Sequence, residues 1–398
     1  MRIAQLSDLH YCGKHLEWVD RAMAFAVDHA IEAGAEVGII SGDSFDAEVP
    51  LHHPAVDRLA SRVQKLADHM PVLILQGTFS HDRPGCLNVF KRIRSQRPVY
   101  VADKAEQVAL GNDRWIPINP EGRVVGLWKL VVSALPSVNR AELQAKDPAA
   151  ATSEALDAQF KEWAYLNDAC AGAGIPTVLV SHGTVNGCVT ESKQALVSPD
   201  HEFGTASLFA AKTAAVMLGH IHAHQGWEEY SGAWRSDQGV RLKARRIAYP
   251  GSITKLIYGH DARCGYLLWD VEAECANYRL IDTPHRQLVD IEFSGPPDLQ
   301  ELRARLATCK GAFVRIRYQV DEEHRAAIDQ QALRELVAGA GVADFKVEGR
   351  INPIQRTRAA GISTMVSLED RLRKWCELTA TKPEPLLQRL DILQSTGD

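Results

Sequence analysis

The stretch MRIAQLSDLH, residues 1–10, combines a predicted strand with two polar side chains at the point where that strand ends. Residues 3–7 are an apolar-leaning run that predicts a buried strand, and Asp8 and His10 follow two positions apart. Positions i and i+2 of an extended chain point to the same face, so both side chains can converge on one point. A carboxylate with an imidazole suits Mn, Fe or Zn. An Asp-x-His pair often arises by chance, so its meaning depends on the rest of the chain.

Four more polar clusters follow in order, each at the end of a predicted strand. The strands cover residues 37–41, 71–76, 176–180 and 214–218. The clusters are Gly42-Asp43, Ser80-His81-Asp82, Ser181-His182-Gly183 and Gly219-His220-Ile221-His222. Helices are predicted at residues 15–33 and 54–69, so strands and helices alternate as in an α/β layer with a central sheet. Ligands bind beyond the carboxyl ends of the strands in such sheets, and we therefore expect the clusters to meet.

Together the clusters supply seven or eight carboxylate and imidazole groups, which is enough for two metal ions. A carboxylate such as Asp43 can bridge two cations about 3.5–4 Å apart, the spacing of two-metal phosphoester hydrolases. Taken alone, an aspartate at a strand end more often caps a helix, and a single loop histidine is more often an ordinary surface or core residue. The metal interpretation rests on five such clusters occurring in this order at strand ends.

The order Asp-x-His, Gly-Asp, His-Asp, His and Gly-His-x-His resembles that of the calcineurin-like metallophosphoesterase family. Asp43 is followed by Ser44-Phe45-Asp46, and Tyr249-Pro-Gly-Ser252 comes after the last histidines. Both features are similar to the DNA repair nucleases of the SbcD type within that family. The family motifs cover residues 1–260, and beyond about residue 285 the likeness is one of layout only.

The resemblance implies a role for each motif residue. One metal would be held by Asp8, His10, Asp43 and His222, and the other by Asp43, His182 and His220, with Asp43 bridging. His81 would face the leaving group or the transition-state phosphate, oriented by Asp82. Two divalent cations are implied, with Mn the usual activating ion and Mg, Fe or Zn as alternatives. The family has Asn where this chain has Ser80. Two further residues, Thr78 and Phe79, separate Ser80 from Gly77. We therefore expect water or a weak Ser80 contact to complete the second metal site.

The resemblance also implies a fold class and a domain order. The fold is expected to be α/β, a metallophosphoesterase β-sandwich flanked by helices, with a small α/β capping domain and C-terminal helices. The boundary falls near Thr283-Pro284, which gives a metallophosphoesterase domain at 1–284, a capping domain at 285–352 and a linker with helices at 353–398. In the family such terminal helices bind an ATPase, so an SbcC-type ATPase is the expected partner, and a homodimer is left open.

Composition limits the classes of function. The formal charge of −5 excludes a globally basic nucleic-acid binder, but five basic residues cluster locally, at Arg235, Arg241, Lys243, Arg245 and Arg246. This basic stretch is either a DNA phosphate contact or a solvated hairpin. The sequence has no run of about 18 apolar residues, so no membrane span is predicted. The eight cysteines are scattered singly, which favours reduced thiols in the cytoplasm.

The sequence therefore predicts a two-metal phosphodiesterase acting on DNA, an exonuclease or endonuclease of the SbcD type. Two alternatives stay open. One is a phosphatase or phosphodiesterase for small phosphoesters, which the appended domain after Thr283 disfavours because small substrates need no such platform. The other is a DNA-end-binding scaffold for an ATPase, in which the change at Ser80 has weakened the chemistry.

Overall fold

The computed structural model describes residues 1–119, 127–137, 148–192, 194, 202–236, 239–353 and 361–395. The chain divides into two compact units, Met1–Asp290 with Gly311–Val314, and Ile291–Lys310 with Arg315–Asp398. The domain boundaries expected after residues 284 and 352 stay predictions.

The described chain alternates between strands and helices. The strands are β1 (Arg2–Leu6), β2 (Val37–Ile40), β3 (Val72–Leu75), β4 (Val99–Ala102), β5 (Glu106–Leu110), β6 (Trp115–Pro117), β7 (Leu130–Leu135), β8 (Thr177–His182), β9 (Thr184–Val185), β10 (Glu202–Phe203), β11 (Ala215–Gly219), β12 (Gln225–Ser236), β13 (Gly239–Tyr249), β14 (Gly265–Val271), β15 (Ala276–Asp282), β16 (Leu288–Phe293), β17 (Phe313–Asp321) and β18 (Asp344–Asn352). The α-helices are α1 (Leu16–Glu32), α2 (Pro54–Ala67), α3 (Pro148–Gly172), α4 (Thr205–Ala210), α5 (Leu299–Leu306), α6 (Gln330–Gly339), α7 (Leu368–Thr379) and α8 (Glu384–Ser395). Among the described residues, no helix combines the length and apolar character needed to cross a membrane.

Two mixed sheets form the first unit. The first sheet has the strand order β15-β14-β1-β2-β3-β4, and the second has the order β12-β13-β11-β8-β7-β5-β6. Strands β1 to β4 run parallel, and β8 lies parallel to both β7 and β11. Parallel strands bring their carboxyl ends to one edge, which is where the predicted clusters lie.

The two sheets pack face to face. Ile3, Ile39 and Leu73 of the first sheet share one buried cluster with Val132 and Val178 of the second. The outer face of the first sheet packs on α1 and α2, and that of the second packs on α3 and α4. Fully burying one such aliphatic side chain stabilises the fold by about 1.5–3 kcal/mol. The predicted fold class, an α/β sandwich of sheets flanked by helices, is therefore confirmed.

A buried glutamine connects the sheets below the carboxyl ends of their strands. The Gln5 amide nitrogen donates to the Ser41 hydroxyl at 3.1 Å and to the Leu218 carbonyl at 2.9 Å, and the Trp269 indole donates to the Gln5 carbonyl oxygen at 2.8 Å. Gln5 is fully buried, so these bonds satisfy a polar group that would otherwise cost about 1–3 kcal/mol. They fix the ends of β1, β2 and β11 relative to one another.

The sequence also predicts a strand at 124–134 and a helix at 140–172 with a break near Pro148. Between residues 288 and 351 it predicts strands at 288–293, 313–320 and 345–351 with helices at 298–308 and 323–338. Several of these elements differ from their predicted extents. The strand expected at 124–134 begins at Leu130, and its positions 124–126 lie outside the described residues. The helix expected from residue 140 begins at Pro148, a residue favoured in the first helical turn, and residues 140–147 lie outside the described part. The helix expected at 323–338 is divided, because the Asp329 carboxylate caps a new start by accepting from two backbone N–H groups.

The second unit contains most of a three-stranded sheet with the order β16-β17-β18, and helices α5 to α8. Its interior buries Leu302 of α5, Ile316 of β17, and Leu333 and Val337 of α6. The strand–helix–strand–helix–strand order agrees with the pattern expected between residues 288 and 351.

Candidate metal centre

The loops that follow β1 and β2 run side by side and carry three of the predicted ligands. The Asp8 N–H donates to the Gly42 carbonyl at 3.2 Å, and the N–H groups of Leu9 and His10 both donate to the Asp43 carbonyl, at 2.9 and 3.1 Å. These bonds continue the pairing of the two strands beyond their regular ends. Asp8, His10 and Asp43 are thereby held at one edge of the sheet.

Four predicted ligands lie on backbone with positive φ. The angles are 50° at Asp8, 52° at His10, 49° at Asp43 and 102° at His220. Two other non-glycine residues in the described part of the chain share this feature. Such conformations cost of order 1–3 kcal/mol each and persist only where the surroundings enforce them. The strain is thus concentrated where the predicted ligands lie.

The first ligand cluster consists of Asp8, His10 and His222, whose ligand atoms lie within 4.8 Å of one another. His10 Nε2 is 2.9 Å from His222 Nε2, and His222 Nε2 is 3.9 Å from Asp8 Oδ1. On the other side of its ring, His10 Nδ1 is 3.3 Å from Asp46 Oδ1. The Asp46 carboxylate therefore orients His10 so that Nε2 faces the cluster.

The second ligand cluster consists of Asp43, His182 and His220, again with ligand atoms within 4.8 Å of one another. His182 Nε2 is 3.2 Å from Asp43 Oδ1, while His182 Nδ1 donates to the Ser41 carbonyl at 2.8 Å. A carbonyl only accepts, so the neutral ring keeps its proton on Nδ1 and presents the Nε2 lone pair to the cluster. This is the arrangement of a metal-ligating histidine held by a second contact.

Asp8 connects the two clusters. Its Oδ1 and Oδ2 accept from the backbone N–H of His220 at 3.0 and 3.2 Å, which fixes the loop that carries a ligand of the second cluster. The segment after β13 supports the same loop, because the Ser252 N–H donates to the His222 carbonyl at 3.2 Å. The structure therefore brings Asp8, His10, Asp43, His182, His220 and His222 into one site.

Burial and charge shift the pKa values of these groups in opposite directions. Burial raises the pKa of Asp8. Burial also acts to raise the pKa of Asp43, but the adjacent His182 outweighs it and holds that pKa far below its usual range. Burial acts to lower the pKa of His182, yet Asp43 raises it to about 9. Burial and the neighbouring His10 lower the pKa of His222 well below its usual value. The negative site therefore holds a proton on His182 that a divalent cation can replace.

His81 lies beside the first ligand cluster, with its ring centroid 4.8 Å from that of His10. Its Nδ1 donates to the Asp46 carbonyl at 2.5 Å. Asp82 was expected to orient His81, but its carboxylate makes other contacts in the structure. Asp82 is fully buried and accepts from the backbone N–H groups of Ser44, Phe45 and Gly77, at 3.1, 3.2 and 3.0 Å. Asp82 thus stabilises the loops that follow β2 and β3, and the Asp46 carbonyl orients His81.

The prediction for Ser80 is corrected by the position of Thr78. Ser80 is exposed, whereas the Thr78 hydroxyl donates to Asp43 at 2.8 Å and lies 3.4 Å from His182 Nε2. The Thr78 N–H also donates to Asp43 Oδ1, at 2.7 Å. Thr78, directly after Gly77, takes the position that contacts the site, and Ser80, two residues further on, is exposed.

The basic stretch lies on the hairpin of β12 and β13. Three of its cations are paired with glutamates: Lys243 with Glu274, Arg245 with Glu229 and Arg246 with Glu228. The side chains of Arg235 and Arg241 lie outside the described part. The three described cations are therefore largely balanced by neighbouring carboxylates, which the sequence pattern alone did not indicate.

The donor set fits two divalent cations. Each ligand cluster combines a carboxylate with two imidazoles, a mixture suited to Mn, Fe or Zn. Two glycines let the loops approach closely, since a Cβ at Gly77 would overlap the Asp43 backbone nitrogen and one at Gly219 would overlap the Ser41 carbonyl oxygen. Asp43 lies between His182, 3.2 Å from its Oδ1, and the loop of His10, whose N–H donates to the Asp43 carbonyl.

The comparison with solved structures includes a distant neighbour, a dimetal phosphatase. No family model matches the chain, and no curated protein matches it. The solved structure of a dimetal phosphatase from Danio rerio is similar with a TM-score of 0.38 and 10% sequence identity, over 70% of this chain and 98% of that chain. At this level of similarity the neighbour does not bear on function, which is inferred below from the residues themselves.

Proposed function

We propose that this protein is a two-metal phosphoesterase. The observation that carries the proposal is the convergence of two ligand clusters, each with one carboxylate and two histidines, on one edge of the sandwich. Structural metal sites are usually closed by four protein ligands, whereas catalytic sites leave positions open. Three ligands in each cluster, or four at the first when Asp43 is shared, leave positions for substrate and solvent on a six-coordinate cation such as Mn²⁺. Bound divalent cations polarise a phosphoryl oxygen and make water a better nucleophile near neutral pH.

The chain's own residues orient the substrate and move the proton. Asp46 acts twice, because its carboxylate contacts His10 while its carbonyl accepts from His81 Nδ1. With Nδ1–H engaged, general-acid catalysis uses the imidazolium form of His81, whose Nε2–H gives its proton to the departing oxygen and leaves the neutral ring with its proton on Nδ1. General-acid assistance of this kind contributes about 10²–10⁴-fold to a rate.

Our finer proposal is that the substrate is a phosphodiester of DNA, as in nucleases of the SbcD type. The support is the motif Gly42-Asp43-Ser-Phe-Asp46, whose last residue contacts both His10 and His81 here. A specific observation favours the alternative of a small phosphoester: the described cations of the basic stretch are paired with glutamates. We propose Mn²⁺ as the activating cation, and Mg²⁺, Fe²⁺ and Zn²⁺ are the alternatives to compare with it.

We also propose an SbcC-type ATPase as partner of α7 and α8. The support is the apolar surface of these helices, where Leu368, Trp375, Leu378, Ile392 and Leu393 are between 44% and 70% exposed. Exposed apolar groups of this size are uncommon unless a partner covers them. Truncation after Asn352 is expected to abolish capture of such an ATPase while metal content and hydrolysis persist. Retained capture would contradict the docking role.

One assay separates the candidate functions. Purified protein with Mn²⁺ is given linear plasmid DNA in one reaction and bis(p-nitrophenyl) phosphate in another, with Asp43→Asn as the inactive control. Shortening of the DNA supports a nuclease. Release of p-nitrophenol with intact DNA supports the small-ester alternative. No hydrolysis of either substrate, with DNA ends still bound, supports a scaffold and contradicts the proposed phosphoesterase.

A further inference from the structure

A cavity of about 640 Å³ opens beside the metal centre, between the loop after β2 and the loop after β3. We name it the side cavity, and His81 is part of its wall. Because His81 also lies against His10, one imidazole separates the side cavity from the first ligand cluster. Its volume falls within the range of roughly 300–1,000 Å³ that is typical of small-molecule sites.

The side cavity has an apolar interior that is fixed in place. Phe45, only 4% exposed, forms part of the wall and stacks on Phe90 with ring centroids 6.3 Å apart and an angle of 29°. Val49 and Val89 line the cavity and pack against the same core. A wall built on core residues keeps its shape without a ligand, so little ordering cost opposes binding.

The rim of the side cavity is polar. Asn88 lines it with an amide that offers both a donor and an acceptor, and Arg83 pairs with Glu48 at 2.7 Å. Both partners of that pair are more than half exposed, so the pair is weak and the guanidinium is free to turn toward a bound anion. An apolar slot with such a rim matches a flat heteroaromatic ring that carries polar edges.

We infer that the side cavity holds the nucleobase next to the scissile phosphate, so the substrates are nucleotide phosphodiesters. The inference rests on the proposed phosphoesterase function, because the phosphate must lie on the ligand clusters for a base to reach the cavity. The ring lies against the wall formed by Phe45, and its edge faces Asn88. Phe45 is 4% exposed and already stacks on Phe90, so the base contacts the apolar wall as a whole, and such a contact tolerates every base because each has a flat apolar face. The side cavity therefore binds a base without preferring any particular sequence.

The test compares two ligands that differ only in the base. Calorimetry of the full-length protein with Mn²⁺ measures the affinity for deoxyadenosine monophosphate and for deoxyribose 5-phosphate. The nucleotide is expected to bind about tenfold more tightly, because its base leaves water for an apolar wall. In Ala47→Trp, where an indole enters the cavity from an exposed lining position, this difference should disappear while the affinity for deoxyribose 5-phosphate is unchanged.

Matched variants keep the test decisive. Leu51→Trp fills the cavity from a lining position that is 75% exposed, so it serves if Ala47→Trp folds poorly. Ala105→Trp, at an exposed position that is not part of the cavity lining, should bind both ligands like the wild type. Equal affinity of the wild type for both ligands, or a base preference that survives both cavity variants, overturns the inference while the phosphoesterase proposal stands. Absence of phosphoester hydrolysis together with absence of deoxyribose 5-phosphate binding overturns both.

Discussion

The two ligand clusters differ in what holds their histidines. In the second cluster the His182 side chain is fully buried, and its Nδ1 donates to a backbone carbonyl, that of Ser41. In the first cluster His10 is oriented by the side chain of Asp46, which is 46% exposed, and His222 is 24% exposed. A backbone contact survives substitution of its residue, whereas a carboxylate contact does not. The second cluster is therefore built into the fold, and the first depends on a surface side chain.

The largest effect is expected from a change that weakens metal binding at both clusters alike. Asp43→Asn takes away the carboxylate expected to bridge both cations, so both sites should weaken and hydrolysis should fall to background. Metal analysis after gel filtration measures the bound equivalents, and circular dichroism checks the fold. Two full equivalents of Mn in a folded variant would show that Asp43 does not bridge.

A second change is expected to reduce the rate while both clusters keep their metals. His81→Ala removes the proton donor beside the first cluster, and kcat should fall about 10²–10⁴-fold, as for loss of a general acid. Inductively coupled plasma analysis should still give the wild-type metal content. A loss of metal in parallel with the rate would instead identify His81 as a ligand of the first cluster, next to His10 and Asp46.

Asp46→Ala should weaken only the first cluster. The change removes the carboxylate that contacts His10 but keeps the backbone carbonyl that accepts from His81. Loss of such an orienting contact costs about 10–100-fold in metal affinity. Calorimetric titration with Mn²⁺ should show one weakened site and one unchanged site. Asp113→Ala, at an aspartate that is 80% exposed, is the matched control, and equal weakening of both sites by Asp46→Ala would contradict the comparison.

Thr78→Val should weaken only the second cluster. Valine keeps the shape and the N–H bond to Asp43 but loses the hydroxyl that contacts Asp43 and His182. The expected fall in affinity for the second cation is roughly 2–10-fold, the net value of one hydrogen bond. Titration of activity against Mn²⁺ measures it. Ser80→Ala should match the wild type, because Ser80 is exposed.

The smallest expected effect concerns pH in protein freed of metal with a chelator. The folded-state pKa of His182, about 9, lies above its usual value of 6.5. Its contribution to stability is therefore fully present below pH 6.5 and is lost as pH rises toward 9. Urea midpoints should fall across this window in the wild type and change less in His182→Gln. Addition of Mn²⁺ should remove the dependence, because the cation replaces the proton.

The convergence of the candidate ligands could be predicted because each follows a strand that is a clear apolar run. Asp8, Asp43, His182 and His220 could be placed at one edge from strand order alone. Thr78 was missed because loop length does not reveal which residue turns inward. The two roles of Asp46 were missed because one of them uses a backbone carbonyl, which any residue provides. The resemblance implied that Asp82 orients His81, but the Asp82 carboxylate accepts from three N–H groups of neighbouring loops.

The strand order of the first sheet has a consequence for synthesis on the ribosome. β1 lies between β2 and β14, so β1 completes its pairing only when residues 265–271 are available. The first cluster likewise joins Asp8 to His222, and Gln5 bonds to Trp269. Contacts this distant along the chain form late and slow folding. A nascent chain that ends before His222 therefore lacks one residue of the first cluster, and one that ends before β14 lacks the strand that completes the pairing of β1 beneath the cluster.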